Sequence, residues 1–80
     1  MLTLEEFMEM RLTDCSPIDI DLHENGRYVA ALACVGETNP DGEINKYVFD
    51  EYRRYQVVAW YIDDFYDPDA VACLNILLEP

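Results

Sequence analysis

The stretch IDIDLHENGRYVAALA, residues 18–33, predicts a β-hairpin around which the rest of the chain can be placed. Ile20 and Leu22 alternate with Asp19 and Asp21, which is typical of a strand with one buried and one solvated face. The dipeptide that follows, Asn-Gly, favours a type I′ turn because both turn positions need positive φ. Counting back from this turn brings apolar residues together: Leu22 with Val29, Ile20 with Ala31, and Ile18 with Ala33.

The segment before the hairpin predicts a helix. Thr3 can act as the N-cap residue, and Glu6 three positions later completes a capping box. Apolar residues then recur at helical spacing until Pro17, which disfavours helix at the residue before it. We therefore expect a first helix over about residues 4–12.

The segment after the hairpin predicts a second helix and then a second hairpin. An apolar stripe indicates a helix over about residues 44–54. Residues 56–62, QVVAWYI, and residues 70–78 have the length and composition of strands. The acidic loop DDFYDPD, residues 63–69, would join these two strands.

An alternative assignment of the same region stays open. It makes residues 44–49 a strand and residues 51–65 one helix, because apolar residues in the second range also satisfy a helical stripe. Either assignment predicts a single α+β domain over residues 1–80. We expect a small, mainly antiparallel sheet of about four strands, formed by two hairpins, with two helices packed on one face.

The composition excludes several classes of function. The chain has a formal net charge of -12 and a sequence pI near 4.1, which disfavours direct binding to nucleic acid or anionic lipid. No apolar run approaches the roughly 20 residues of a membrane span, and the first ten residues carry acids where a signal peptide has basic residues. We therefore expect a cytoplasmic protein without a membrane partner.

The residues that could perform catalysis are few. Cys15, Cys34 and Cys73 are an odd number without close spacing, which is typical of buried thiols in a reducing compartment. His23 is the only histidine, so a Cys-His pair is the only nucleophilic arrangement that the chain permits. Burial of Cys34 and Cys73 on strands would raise their thiol pKa values rather than activate them. We expect no enzyme, no cofactor and no metal site, and we expect His23 to lie beside Tyr28 on the hairpin surface.

Two groups of residues are candidate binding surfaces. The loop at 63–69 lacks the spacing of a calcium loop, so its carboxylates are expected to be solvent-exposed. Together with the outer face of the first hairpin they form a candidate acidic surface: Asp19, Asp21, Asp63, Asp64, Asp67 and Asp69. Trp60 and Tyr61 form a candidate aromatic patch, since both residue types are favoured at interfaces.

Four segments carry a resemblance to a known group of proteins. TLEEFME at 3–9, IDIDL at 18–22 before Asn-Gly, YQVVAWYI at 55–62 and CLNILL at 73–78 resemble the small acidic accessory proteins of bacteriophages and mobile elements. The resemblance is one of pattern and assigns no residue a chemical role. It implies an accessory protein that blocks a host defence system.

Two functions remain open from the sequence. One is a protein-binding inhibitor whose carboxylates imitate nucleic-acid phosphates, with a basic nucleic-acid-binding protein as its partner. The other is a general interaction or homo-oligomerisation module that binds through a strand edge or aromatic patch while its charge keeps it soluble.

Overall fold

The fold is α+β, as predicted, with two helices and one four-stranded sheet in the part of the chain that the structure describes. This structure is a computed structural model, and it describes residues 2–11, 18–63 and 72–80. The elements in chain order are α1 (Leu4–Arg11), β1 (Asp19–Glu24), β2 (Arg27–Ala33), α2 (Lys46–Tyr52), β3 (Gln56–Asp63) and β4 (Cys73–Glu79).

The sheet has the strand order β2-β1-β4-β3. Both predicted hairpin pairs are confirmed, because β1 pairs antiparallel with β2 and β3 pairs antiparallel with β4. The two pairs join through their inner strands, since β1 and β4 run parallel to each other. The sheet is therefore mixed but mainly antiparallel. β4 lies between two neighbours, which explains its nearly continuous burial from Cys73 to Ile76.

The turn of the first hairpin is as predicted, but the predicted register beyond it is wrong. Asn25 and Gly26 have φ values of 55° and 79°. The register then shifts twice, so that Leu22 pairs with Ala30 and Ile20 with Ala33. Each shift adds one residue to β2, as a β-bulge does. The bulges stabilise the fold through Leu32. Strict alternation would turn this side chain toward solvent, whereas in the structure it is fully buried.

The second half of the chain decides between the two assignments. The helix predicted over about 44–54 is confirmed as α2, and the alternative helix over 51–65 is wrong because Gln56–Asp63 forms β3. Asn45 is the N-cap residue of α2, and its side chain accepts hydrogen bonds from Tyr47 N–H at 3.0 Å and Val48 N–H at 3.3 Å. The β-branched and aromatic residues that follow favour a strand, and pairing with β4 satisfies the backbone groups on the inner side of β3.

Helix α1 begins with the predicted capping box. Thr3 N–H donates to Glu6 Oε1 at 3.1 Å, and Glu6 N–H donates to Thr3 Oγ1 at 3.2 Å. Two amides that the first helical turn leaves without partners are thereby satisfied. Hydrogen bonds from the Thr3 backbone and side chain lower the pKa of the Glu6 carboxyl.

The core lies on the face of the sheet that carries Ile20 and Leu22. Its buried members come from α1 and all strands but β3: Leu4, Met8, Ile20, Leu22, Leu32, Ala33, Leu74, Ile76 and Leu78. Residues of α2, among them Val48 and Phe49, pack against the same cluster. The placement of both helices on one face stays a prediction, which this shared cluster supports.

Candidate functional site

The side of the sheet opposite the core carries polar residues at alternating positions of β1, β4 and β3. We call this side the polar face, and its members are Asp19, Asp21, His23, Tyr61, Asp63, Cys73 and Asn75. The register places them together, since Asp21 pairs with Asn75 and Asn75 pairs with Tyr61 on the other side. The predicted outward orientation of Asp19 and Asp21 follows from the burial of Ile20 and Leu22 beside them.

Asn75 is the centre of a hydrogen-bonded group on the polar face. Its amide Nδ2 donates to Asp63 Oδ2 at 3.0 Å, and its Oδ1 lies 2.8 Å from His23 Nε2. Because Oδ1 can only accept, the Nε2 atom of His23 must carry a proton. The side chain of Asn75 is buried although its residue type is polar, and these partners explain why that burial is tolerated.

His23 has a second neighbour on the hairpin. Its ring lies 6.0 Å from the ring of Tyr28 in an edge-on arrangement, which confirms the predicted surface pair. The hydrogen bond to Asn75 was not foreseen, because it joins β1 to a strand that comes more than fifty residues later in the chain. Sequence spacing carries no signal for such a parallel pair.

Cys73 is held as a neutral thiol. Its Sγ donates to Asp21 Oδ2 at 3.2 Å, and burial followed by this hydrogen bond raises the pKa of Cys73 to about 12. Burial of Cys73 was predicted and is confirmed, whereas the predicted burial of Cys34 is wrong. Cys34 lies one residue beyond the end of β2 at Ala33, outside the strand on which its burial was predicted, and it is exposed.

Cys73 and His23 do not form a nucleophilic pair. The β1–β4 register aligns Cys73 with Asp19 and places His23 beside Leu77. Four residues of strand separate the two positions, which corresponds to about 13 Å at the usual rise per residue. Each side chain is also engaged elsewhere, with Asp21 and Asn75 respectively.

The structure describes three of the six carboxylates of the predicted acidic surface. Asp19, Asp21 and Asp63 lie on the polar face, while Asp64, Asp67 and Asp69 lie outside the described residues. Asp19 accepts a hydrogen bond from Val35 N–H at 2.7 Å, so all three described carboxylates accept internal hydrogen bonds. Asp63 was predicted in the loop and is instead the last residue of β3.

The second candidate surface lies along β3, which is an edge strand. The Leu2–Thr3 segment covers only the beginning of the outer edge, where Val57 N–H donates to the Leu2 carbonyl at 2.7 Å. From Val58 to Ile62, none of the described residues pairs with the backbone groups that point away from β4. As far as the described residues go, this edge of the sheet is therefore open to another strand.

Large apolar side chains surround this open edge. We call them and the open backbone between Val58 and Ile62 the edge surface, whose exposed side chains are Leu2, Val58, Trp60, Tyr61 and Ile62. Trp60 remains 55% exposed although it pairs with the fully buried Ile76 of β4. No charged residue interrupts the strand between Gln56 and Asp63.

A groove of about 700 Å³ lies beside the edge surface on the side of α1. Its lining is apolar and includes Leu2, Phe7, Ile18, Val57, Trp60 and Ile62. The rings of Phe7 and Trp60 are 6.1 Å apart and tilted by 56°, so α1 forms one wall of the groove.

The two residues of the predicted aromatic patch, Trp60 and Tyr61, point to opposite sides of the sheet. Trp60 lies on the groove side of β3, while Tyr61 lies on the polar face beside Asn75. Sequence reasoning missed Phe7, Val58 and Ile62 as members of the groove and edge. The uncharged run from 56 to 62 was the available signal, but a run of this kind fits a buried central strand equally well.

Two further properties concern only the residues that the structure describes. Neither α1 nor α2 has the length and hydropathy needed to cross a membrane. The described His, Cys, Asp and Glu side chains form no group of three or more that is arranged to hold a metal ion. Metal independence stays a prediction.

Because comparisons with known proteins found no match, the proposals below rest on the geometry of the chain. No protein-family model, no curated protein and no solved structure matches it.

Proposed function

We propose that this chain is a non-enzymatic protein-binding domain that binds an extended segment of another chain along the edge surface. The observation that carries the proposal is the open, uncharged edge of β3 between Val58 and Ile62, flanked by exposed apolar side chains. Soluble proteins usually protect a sheet edge with charges, proline, a bulge or a covering element. β3 has a bulge at its start and no charge until Asp63, and none of the described residues covers its second half.

The chemistry of the site favours strand addition. An incoming strand would supply hydrogen-bonding partners for the open backbone, which provides affinity largely independent of sequence. Its alternate side chains would enter the apolar groove next to Phe7 and Trp60, which provides selectivity. A partner segment that alternates apolar and polar residues fits this surface.

The polar face supports a role without catalysis. Cys73 is a protonated thiol that is hydrogen-bonded to Asp21, whereas His23 is hydrogen-bonded to Asn75. The positions of Cys73 and His23 are about 13 Å apart along the strands. Neither group therefore has an activating partner among the described residues.

The phosphate-imitating inhibitor is a second candidate function. Asp19, Asp21 and Asp63 lie on one face of a chain with a net charge of -12, which favours attraction to a basic groove. Their internal hydrogen bonds weigh against it, because a carboxylate that already accepts a bond is less available to a partner. A role against host defence, implied by the sequence resemblance, depends on this second candidate.

Selection from a displayed library of random twelve-residue peptides tests the proposal. We expect alternating apolar sequences that bind the parent chain, shift the emission of Trp60 and fail to bind Trp60→Glu. The matched control is Tyr47→Glu, which also replaces an exposed aromatic residue by glutamate, but on α2 and away from β3. If the selected peptides are instead lysine- and arginine-rich and dissociate at about 500 mM salt, the acidic-surface candidate is favoured, since exposed charges are then screened. Peptides that bind Trp60→Glu as well as the parent would refute the edge surface.

A further inference from the structure

We infer that the edge surface is covered by a second copy of this chain, through antiparallel pairing of β3 with β3 about a two-fold axis near Trp60. The inference rests on the proposed function, since it names the occupant of the same surface. It is carried by the pattern of β3, by the area that the surface exposes, and by the position of the nearest charges.

The pattern of β3 is compatible with pairing to itself. In an antiparallel pair, residues opposite each other point to the same side of the sheet. A two-fold axis at Trp60 sets Val58 opposite Ile62 of the second copy, so that exposed apolar side chains meet in pairs. Such an interface is closed, because each copy contributes the same strand.

The exposed area is sufficient for a specific dimer. The five side chains of the edge surface are 37–55% exposed, and a fully covered aromatic side chain such as Trp60 or Tyr61 buries about 150–250 Å², with the aliphatic ones burying less. One copy therefore offers on the order of 500 Å², and two copies on the order of 1,000 Å². That total reaches the lower limit expected of a biological interface, before the backbone is included.

The charges of the chain are placed at the ends of this interface rather than within it. In the register centred on Trp60, pairing ends at Ile62, because the Leu2–Thr3 segment already occupies the outer edge at Val57 of the second copy, and Asp63 lies just beyond the paired residues. The two Asp63 carboxylates are then about 20 Å apart, which exceeds the Debye length of about 8 Å at physiological ionic strength. The remaining repulsion comes from the net charge of -12 on each copy, so salt should strengthen the dimer.

The arrangement has a consequence for the polar face. A two-fold axis at right angles to the sheet keeps equivalent faces on the same side. The dimer would therefore be an eight-stranded sheet with the polar faces of both copies on one side and both grooves on the other.

Sedimentation equilibrium tests the inference over about 1–500 μM protein at 50 and 500 mM salt. We expect a reversible dimer whose dissociation constant falls as salt rises, and Trp60 emission that shifts to longer wavelength on dilution. Trp60→Glu should weaken the dimer at least 100-fold, because the substitution occurs twice at the centre of the interface. Ile62→Glu, near the margin, provides a second variant if Trp60→Glu does not fold, and Tyr47→Glu should leave the dimer unchanged.

The outcomes separate the inference from the proposed function. A parent chain that stays monomeric at all concentrations would overturn the dimer, while peptide binding that Trp60→Glu abolishes would still support the proposed function. A dimer that Trp60→Glu and Ile62→Glu leave intact would place the interface elsewhere and overturn the inference. Loss of both dimer and peptide binding from the folded parent chain would mean that both are wrong.

Discussion

Replacement of Asn75 by alanine tests the hydrogen-bonded group on the polar face. Asn75 is 4% exposed, and it joins His23 of β1 to Asp63 of β3 across the central strand β4. The alanine variant removes both bonds and leaves the backbone register in place. It therefore isolates the side-chain contribution from that of the sheet.

The magnitude follows from the two bonds. A hydrogen bond between neutral groups contributes about 1 kcal/mol, and one to a charged group about 1.5–3 kcal/mol. Asp63 is exposed and His23 is half-buried, so water can replace part of what each loses. We expect Asn75→Ala to lower the free energy of unfolding by about 2 kcal/mol, which corresponds to a melting temperature lower by roughly 8–16 °C for a domain of this size.

Urea unfolding followed by Trp60 fluorescence measures the loss, and a double-mutant cycle with Asp63→Ala assigns it. The single variant Asp63→Ala should cost less than Asn75→Ala, because His23 keeps its partner. The double variant should cost less than the sum of the two, with a coupling energy of about 1 kcal/mol. Additive effects would show that the bond between Asn75 and Asp63 contributes nothing to stability, and a loss below about 0.5 kcal/mol for Asn75→Ala would show the same of the whole group.

Three further predictions concern single residues. Thr3→Ala should lower the free energy of unfolding by about 1 kcal/mol through loss of the capping box, and superimposable urea curves for variant and parent would contradict this. Gly26→Val should cost more than about 1 kcal/mol, because φ is +79° there and left-handed backbone is strained for a β-branched residue. Gly36→Val is the matched control, since its added side chain also meets open space but without a positive φ, and equal melting temperatures for the two variants would refute the reasoning. At pH 8 iodoacetamide should alkylate Cys34 and leave Cys73 unmodified, since a pKa of about 12 leaves roughly one thiol in 10⁴ ionised; mass spectrometry that finds Cys73 modified first would contradict its burial.

Local signals in the sequence predicted the elements well because each element has a local cause. The capping box at Thr3 and Glu6, the Asn-Gly turn and the alternation of β1 depend on residues within a few positions of each other. These interactions form in the same way whatever surrounds them. The first helix, and the turn and strands of the first hairpin, were therefore predicted from the residues alone, although the register of the hairpin was not.

The errors arose where tertiary packing overrides a local pattern. Strict alternation would turn Leu32 outward, and bulges in β2 bury it instead, because removing leucine from water stabilises the fold more than keeping a regular ladder. The parallel contact of β1 with β4 has no sequence signal, since it joins distant segments. The bonds of His23 and Asp21 to β4 depend on that contact and were missed with it.

The candidate site was predicted at the level of residues but not of geometry. Trp60 and Tyr61 were identified from their residue types, yet alternation along β3 places them on opposite sides of the sheet. The openness of the edge depends on strand order, which no run of seven residues can specify. The importance of Val58 and Ile62 emerged only once β3 was placed at the margin of the sheet.

The central position of β4 has a consequence for the newly synthesised chain. The first hairpin can close as soon as residues 19–33 have been made, because its two strands are adjacent in sequence. Apart from the Leu2–Thr3 segment at its beginning, β3 has no partner among the described residues until β4 follows, so the segment from Val58 to Ile62 emerges with both of its edges open. During this interval the nascent chain presents its most apolar strand to other nascent chains, and completion of β4 then protects one edge and joins the two halves in a single step.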